Sequence, residues 1–171
     1  MTMLDLMPVQ DWLALERELF DQFHINAQAV DASGKPVTPT RLWCNRLCQA
    51  VRENPEGALA ICAPSGQEFT RRIREERRPI LDECELGLAK VLVPVIVNGE
   101  LVGGLGGCGP LPQGQEPETF LAQASLGLTE DQTAALARTV PVVPRERLET
   151  MRDAIAARVA AIVARAEAAG A

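Results

Sequence analysis

A single β-hairpin signal between residues 91 and 108 places the strongest constraint on the fold. Two apolar runs flank the pair Asn98-Gly99, and an Asn-Gly pair in this setting is the strongest short-range signal for a two-residue hairpin turn. The second run ends at Cys108, so the hairpin returns this residue to the end where the first strand begins, close to Cys84. The sequence therefore predicts two cysteines on one side of the molecule.

The second arm of this hairpin is unusually rich in glycine, at positions 103, 104, 106, 107 and 109. Glycine weakens strand interiors, so this density indicates close approach by another backbone or by a bound group. A phosphate loop is not favoured, because the Lys-Ser/Thr pair of that motif is missing and the segment Pro110-Leu111-Pro112 blocks the helix that should follow.

Length and charge limit the classes of protein that the chain can represent. Its 171 residues fit one domain spanning 1–171, and the net charge of −6 argues against broad attraction to nucleic acid. No apolar run approaches the ~20 residues that a membrane-spanning helix needs, and no secretion signal is recognisable. We therefore expect a cytoplasmic protein without a membrane partner, whose five cysteines are mostly reduced thiols.

The remaining elements predict an α+β fold in which helices flank an antiparallel sheet. Apolar spacing indicates an amphipathic helix over 8–23, a helix over 40–53 with Thr40 as its N-cap, and a charged surface helix over 65–78. A long final helix is predicted over about 144–168, with a near-heptad apolar seam. This seam fits either docking on the chain's own domain or an interface with a homodimer mate or another partner.

The order of these elements resembles the PocR sensory domain, a variant of the PAS fold, from about Trp12 to Val163. The segment Cys84-Glu85-Leu86-Gly87-Leu88 is similar to the family's Cys-His-Ala-Gly-Leu motif, and Gly106-Gly107-Cys108 stands where the family usually has Gly-Gly-Gln. Other family-like positions are Leu47-Cys48, the run Asn54-Pro55-Glu56-Gly57, Cys62, and Val93 to Glu100.

The resemblance implies a PAS-like sheet and a function in sensing small molecules, such as short diols or other hydrocarbon derivatives. Members of this family pass their signal to attached output domains, and none is recognisable in this sequence, so we expect a separate partner. The candidate residues for binding a small-molecule ligand are Trp43, Cys84, Glu85, Gly107 and Cys108.

The chain departs from the family at Glu85, which replaces the motif histidine, and at Cys108, which replaces the glutamine. With Cys108, the family-like positions give a candidate metal-binding set of Cys48, Cys62, Cys84 and Cys108. Four converging thiolates suit an iron-sulfur cluster or zinc. Whether Cys44 or Cys48 supplies the ligand from its helix stays open, and so does the alternative that several of these cysteines are buried structural thiols.

Catalysis is not favoured by the residues present. The chain has one histidine and no tyrosine, and it lacks a recognisable nucleophile-base pair. The acidic neighbours Glu83 and Glu85 would raise the pKa of Cys84 rather than activate its thiol. Two hypotheses follow, namely a non-catalytic sensor of a small ligand and, alternatively, an iron-sulfur or zinc protein that senses redox state in the same fold.

Overall fold

A four-stranded antiparallel sheet with strand order β1-β4-β3-β2 forms the centre of the computed structural model, which describes residues 1–39 and 41–169. The predicted hairpin is confirmed. It joins β3 to β4 through Asn98 and Gly99, which both have positive φ, as this type of turn requires. The strands are β1 (Asn26–Asp31), β2 (Ile80–Glu83), β3 (Ala89–Val97) and β4 (Glu100–Cys108).

Helices cover both faces of this sheet, which confirms the predicted fold class. The helices of the described chain are α1 (Met3–Leu6), α2 (Val9–Phe23), α3 (Arg46–Glu53), α4 (Pro55–Gly57), α5 (Ala63–Glu76), α6 (Phe120–Leu126), α7 (Glu130–Ala137) and α8 (Arg145–Ala169). A π-helical turn over Ala58–Cys62 joins α4 to α5. Two short parallel strands, β5 (Leu111–Pro112) and β6 (Val142–Val143), pair apart from the main sheet. Within the described residues, no helix combines the length and apolar character of a membrane span.

The long final helix lies on its own domain, with its apolar seam against β3. The seam residues Leu148, Met151, Ile155, Val159 and Ile162 are each at most 5% exposed. They join residues of α2 and of the sheet in one large hydrophobic cluster. Burial of these side chains stabilises the fold by about 1.5–3 kcal/mol each. The seam therefore docks α8 on the chain's own domain, which is the first of the two roles predicted for it.

The glycines of β4 fit where larger residues would collide with neighbouring strands. A Cβ atom added to Gly106 would lie 2.0 Å from the carbonyl oxygen of Val91, and one added to Gly103 would lie 2.3 Å from that of Val30. The predicted close approach at these positions is therefore made by the backbones of β3 and β1.

Two of the predicted helices differ in detail from the observed ones. The second begins at Arg46 with Asn45 as its N-cap, because this side chain accepts a hydrogen bond from the Cys48 amide. The proposed cap Thr40 lies outside the described residues. The charged helix predicted over 65–78 is α5, which spans Ala63–Glu76. Its predicted apolar stripe, Phe69 and Ile73, is buried against Ile80 and Leu92 of the sheet, while its charged face is exposed.

Candidate functional site

A cavity of about 180 Å³ lies between the sheet and the layer formed by α3, the π-helical turn and α5. Its floor follows the strand register, in which Cys108 of β4 lies between Asn26 of β1 and Lys90 of β3. Two residues before Cys108 in β4, Gly106 also lines the cavity and leaves this part of its floor without a side chain. An apolar cavity of about 150 Å³ is large enough to hold benzene, so this volume suits a small ligand.

Four cysteines from four different elements line this cavity. Cys48 lies on α3, Cys62 ends the π-helical turn, Cys84 precedes β3, and Cys108 ends β4. All are half-buried free thiols. Cys62 is the last residue of the π-helical turn. Such turns are rare and are found often at functional sites.

A tight turn between β2 and β3 positions Cys84. The Cys84 carbonyl accepts a hydrogen bond from the Gly87 amide at 2.8 Å, and the Cys84 amide donates to the Leu88 carbonyl at 2.9 Å. Gly87 adopts φ +71°, which glycine reaches without strain. The buried side chains of Leu86 and Leu88 anchor the turn in a second hydrophobic cluster, which also includes residues of α3. The family-like motif is thus a structural turn that holds one thiol at the cavity.

Asn45 connects the start of α3 to the end of β4. Its Oδ1 caps the helix, while its Nδ2 donates to the Gly109 carbonyl at 3.0 Å and lies 3.3 Å from Cys48 Sγ and 3.4 Å from Cys44 Sγ. Cys44 does not line the cavity, since its sulfur lies against the backbone at Cys108 and Gly109. Of the two cysteines between which the sequence could not choose, Cys48 is therefore the one at the cavity.

Burial keeps several of these thiols protonated. It raises the pKa of Cys44 to about 12 and that of Cys84 to about 11, and it also raises the pKa values of Cys48 and Cys62. The proximity of Cys108 is the second cause in each case. These thiols are neutral near pH 7 unless a bound metal replaces their protons.

The family comparison decides where the chain belongs. A family model described as the sensory domain found in PocR matches residues 5–167, nearly the whole chain. This chain is a member of the PocR sensory domain family. No curated protein sequence matches it significantly.

One solved structure similar to this PocR domain is described as a transcriptional regulator of the IclR family from Rhodococcus sp.. The identity is 16%, and the match covers 86% of this chain and 62% of the regulator chain. The PocR domain thus spans less than two thirds of that regulator's length. With a TM-score of 0.33, the likeness carries no argument about fold or function.

The geometry of the PocR domain does not match a single-ion site. Within 1–39 and 41–169, no group of three or more His, Cys, Asp or Glu residues is spaced to hold a metal ion. A zinc ion holds four sulfurs at about 2.3 Å each, which brings these sulfurs into mutual contact. The four cysteines of the cavity share its wall without forming such a tetrahedron.

The structure places most of the sequence-predicted ligand residues of this PocR domain at the cavity. Trp43 and Gly107 line it together with Cys84 and Cys108, whereas Glu85 is exposed and is not part of the lining. Sequence reasoning missed several polar lining residues, namely Asn26, Gln28, Arg52, Ser65 and Lys90. Of these residues, Lys90 could have been found from the sequence, because it is the one charged residue of the otherwise apolar strand β3. In the structure it pairs with Cys108.

Proposed function

We propose that this PocR domain is a non-catalytic sensor module that binds a small ligand in the cavity between the sheet and α3–α5. The observation that carries this proposal is the cavity itself, because its volume suits a small ligand and its lining mixes apolar walls with a few hydrogen-bonding groups. Such a mixture is typical of small-molecule sites. Leu92 and Ile61 supply apolar surface, and Gln28, Asn26 and Ser65 supply polar atoms.

The sheet offers a physical route for the signal. Strands β3 and β4 form the cavity floor on one face and contact α8 on the other. A ligand that shifts these strands would therefore alter the packing of α8, whose outer face could transmit the change to a separate partner or to a second copy of the chain. The proposal includes a cytoplasmic location, which five free thiols suit.

Thermal unfolding with a panel of short diols and small hydrophobic molecules tests ligand binding. A ligand that binds only the folded state must raise the melting temperature, by an amount that grows with its concentration. Cys62→Phe adds a ring at the cavity wall and should abolish the rise. Val142→Phe adds the same ring at a site that is 58% exposed, and the rise should persist. An equal response in both variants would place the ligand elsewhere.

The second candidate function is redox sensing through a cysteine-ligated iron-sulfur cluster. The specific observation in its favour is that four cysteines from separate elements line one cavity, together with the cations Lys90 and Arg52. A cluster spreads its thiolate ligands over several metal ions, so it does not need the close tetrahedron of a zinc site. Cys48, Cys62, Cys84 and Cys108 would hold it.

Anaerobic purification followed by iron, sulfide and zinc analysis tests this candidate. A cluster predicts a brown protein that loses iron and sulfide in Cys84→Ser and retains them in Cys44→Ser, because Cys44 does not line the cavity. Zinc in place of iron would identify the other metal. A colourless wild-type protein without iron, sulfide or zinc would rule the candidate out.

A further inference from the structure

Every charged residue that lines the cavity is basic. The three are Arg41, Arg52 and Lys90, and no Asp or Glu of the described chain lines the cavity beside them. This is unexpected from composition, because acidic residues outnumber basic ones by 23 to 17 and the net charge is −6. The fold thus concentrates positive charge around one concave site of an acidic protein.

These cavity cations have no carboxylate partner within the described residues. The ion pairs there use other arginines, such as Arg71 and Arg72 on the outer side of α5. Lys90 instead donates to the Ser65 hydroxyl at 3.2 Å and lies 4.9 Å from the centre of the Phe69 ring. The positive charge of Arg52 lies close enough to Cys62 to oppose the rise in the pKa of that thiol. Neutral groups therefore hold Lys90 in place.

Lys90 and Arg52 are both half-buried. A half-buried cation without a counter-charge is unfavourable compared with the same cation beside an anion. The cavity is consequently a better site for an anion than for a neutral molecule.

We infer that the ligand of this cavity is a small organic anion, whose carboxylate is held by Lys90 and Arg52. The apolar part of the ligand would lie on Leu92, Ile61 and Trp43, which line the same cavity. The exposed Arg41 adds positive charge at the lining, where it favours the entry of anions. This inference rests on the proposal that the cavity is the ligand site of the sensor.

A matched pair of probes separates charge from shape. Lactate and propane-1,2-diol share a three-carbon skeleton and a hydroxyl group, and they differ in carrying a carboxylate or a CH₂OH group. At equal concentration and equal ionic strength, adjusted with sodium chloride, lactate should raise the melting temperature more than the diol does. The same order should hold for other short carboxylates, from acetate to valerate, against their alcohols.

Variants then locate the carboxylate. Lys90→Met and Arg52→Met remove one charge while keeping an unbranched side chain, and each should weaken binding of the most stabilising carboxylate by about tenfold or more, equivalent to about 1.4 kcal/mol. Arg46→Met is the matched control, since Arg46 is an exposed arginine on the same helix as Arg52 and does not line the cavity.

The possible outcomes separate this inference from the proposed function. A diol response equal to or larger than the lactate response overturns the anionic ligand and leaves the sensor intact. If no carboxylate raises the melting temperature, the anionic-ligand inference is also overturned. The panel of diols then tests whether the cavity binds a small ligand at all. The comparison of lactate with the diol uses the wild-type chain, so its result remains valid even if a variant fails to fold.

Discussion

The face of the sheet that packs against α8 and the face that lines the cavity are built from alternate residues of the same strands. Val93, Val95 and Leu105 point to α8 and are at most 3% exposed within the largest hydrophobic cluster. Lys90 and Leu92, their neighbours in β3, line the cavity. Successive side chains of a strand point to opposite faces, so one strand serves two different environments.

The two faces of the sheet differ in how completely the space beside them is filled. The α8 face is a continuous apolar cluster, with the volume filled by branched side chains. The opposite face carries glycine, cysteine, lysine and asparagine, and it leaves about 180 Å³ unfilled. Buried apolar area stabilises the fold, whereas side chains that border unfilled space lose part of their packing contacts. Substitutions on the two faces should therefore have different effects.

The largest difference is expected for the same substitution on opposite faces. Leu105→Ala should lower the free energy of unfolding by about 3–5 kcal/mol, because it opens a void in a filled core, while Leu92→Ala should lower it by about 2 kcal/mol beside existing space. Urea-induced unfolding measures both. If Leu92→Ala were the more damaging change, the contrast between the two faces would be wrong.

The cavity floor is sensitive to added atoms rather than to lost ones. Gly106→Ala places a Cβ atom 2.0 Å from the Val91 carbonyl oxygen and should destabilise the fold by about 3 kcal/mol, because β3 and β4 must separate. Gly66→Ala is the matched control. Gly66 lies within α5, and an added Cβ there meets no atom within 4 Å, so this change should stabilise the fold by up to about 1 kcal/mol. A stable Gly106→Ala protein would contradict the argument from close strand approach.

A smaller effect is expected at the polar connection between α3 and β4. Asn45→Ser keeps a helix-capping oxygen but loses the donor to the Gly109 carbonyl, and it should destabilise the fold by about 1 kcal/mol. Asn45→Ala also removes the cap and should lose about 1 kcal/mol more. Denaturant unfolding of the two variants separates these contributions. Equal stability of Asn45→Ser and Asn45→Ala would show that the cap contributes nothing.

The smallest effect concerns the edge of β1, which borders the cavity through Gln28. The buried Glu16 carboxylate accepts hydrogen bonds from the Ala29 amide at 2.7 Å and from the Thr38 hydroxyl at 2.8 Å, and Gln28 Nε2 donates to Thr38 at 3.0 Å. Burial raises the pKa of Glu16 above its ordinary value. The folded chain therefore holds this proton more tightly than the unfolded chain does, and the contribution of Glu16 to stability falls as pH rises from the ordinary pKa through the folded one.

Glu16→Gln removes this titration. Relative to the variant, the wild-type chain should lose stability as pH rises across that window, and below the window the difference in stability should not change with pH. Urea unfolding at several pH values from about 4 to about 8 measures the difference, with Glu85→Gln as an exposed control. A difference that does not change with pH would show that Glu16 has the same pKa in both states.

Local signals in the sequence predicted much of the framework. The Asn98-Gly99 turn fixed the β3–β4 hairpin because its backbone conformation involves only neighbouring residues. The apolar spacing over 144–168 likewise predicted α8. The family resemblance pointed to Cys48, Cys62, Cys84 and Cys108, which the structure brings to one cavity.

Tertiary packing alone decided what surrounds those cysteines. Arg52 lies on a helix and Lys90 on a strand far away in the chain. Both line the same cavity only because the helical layer of α3 and α5 lies over the sheet. The exposure of Glu85 and the basic lining follow from the same packing. Periodicity reports which side of an element is apolar, whereas the shape and charge of a cavity depend on which elements enclose it. The sequence by itself thus determined the hairpin, the final helix and the family, and the fold decided which residues line the cavity.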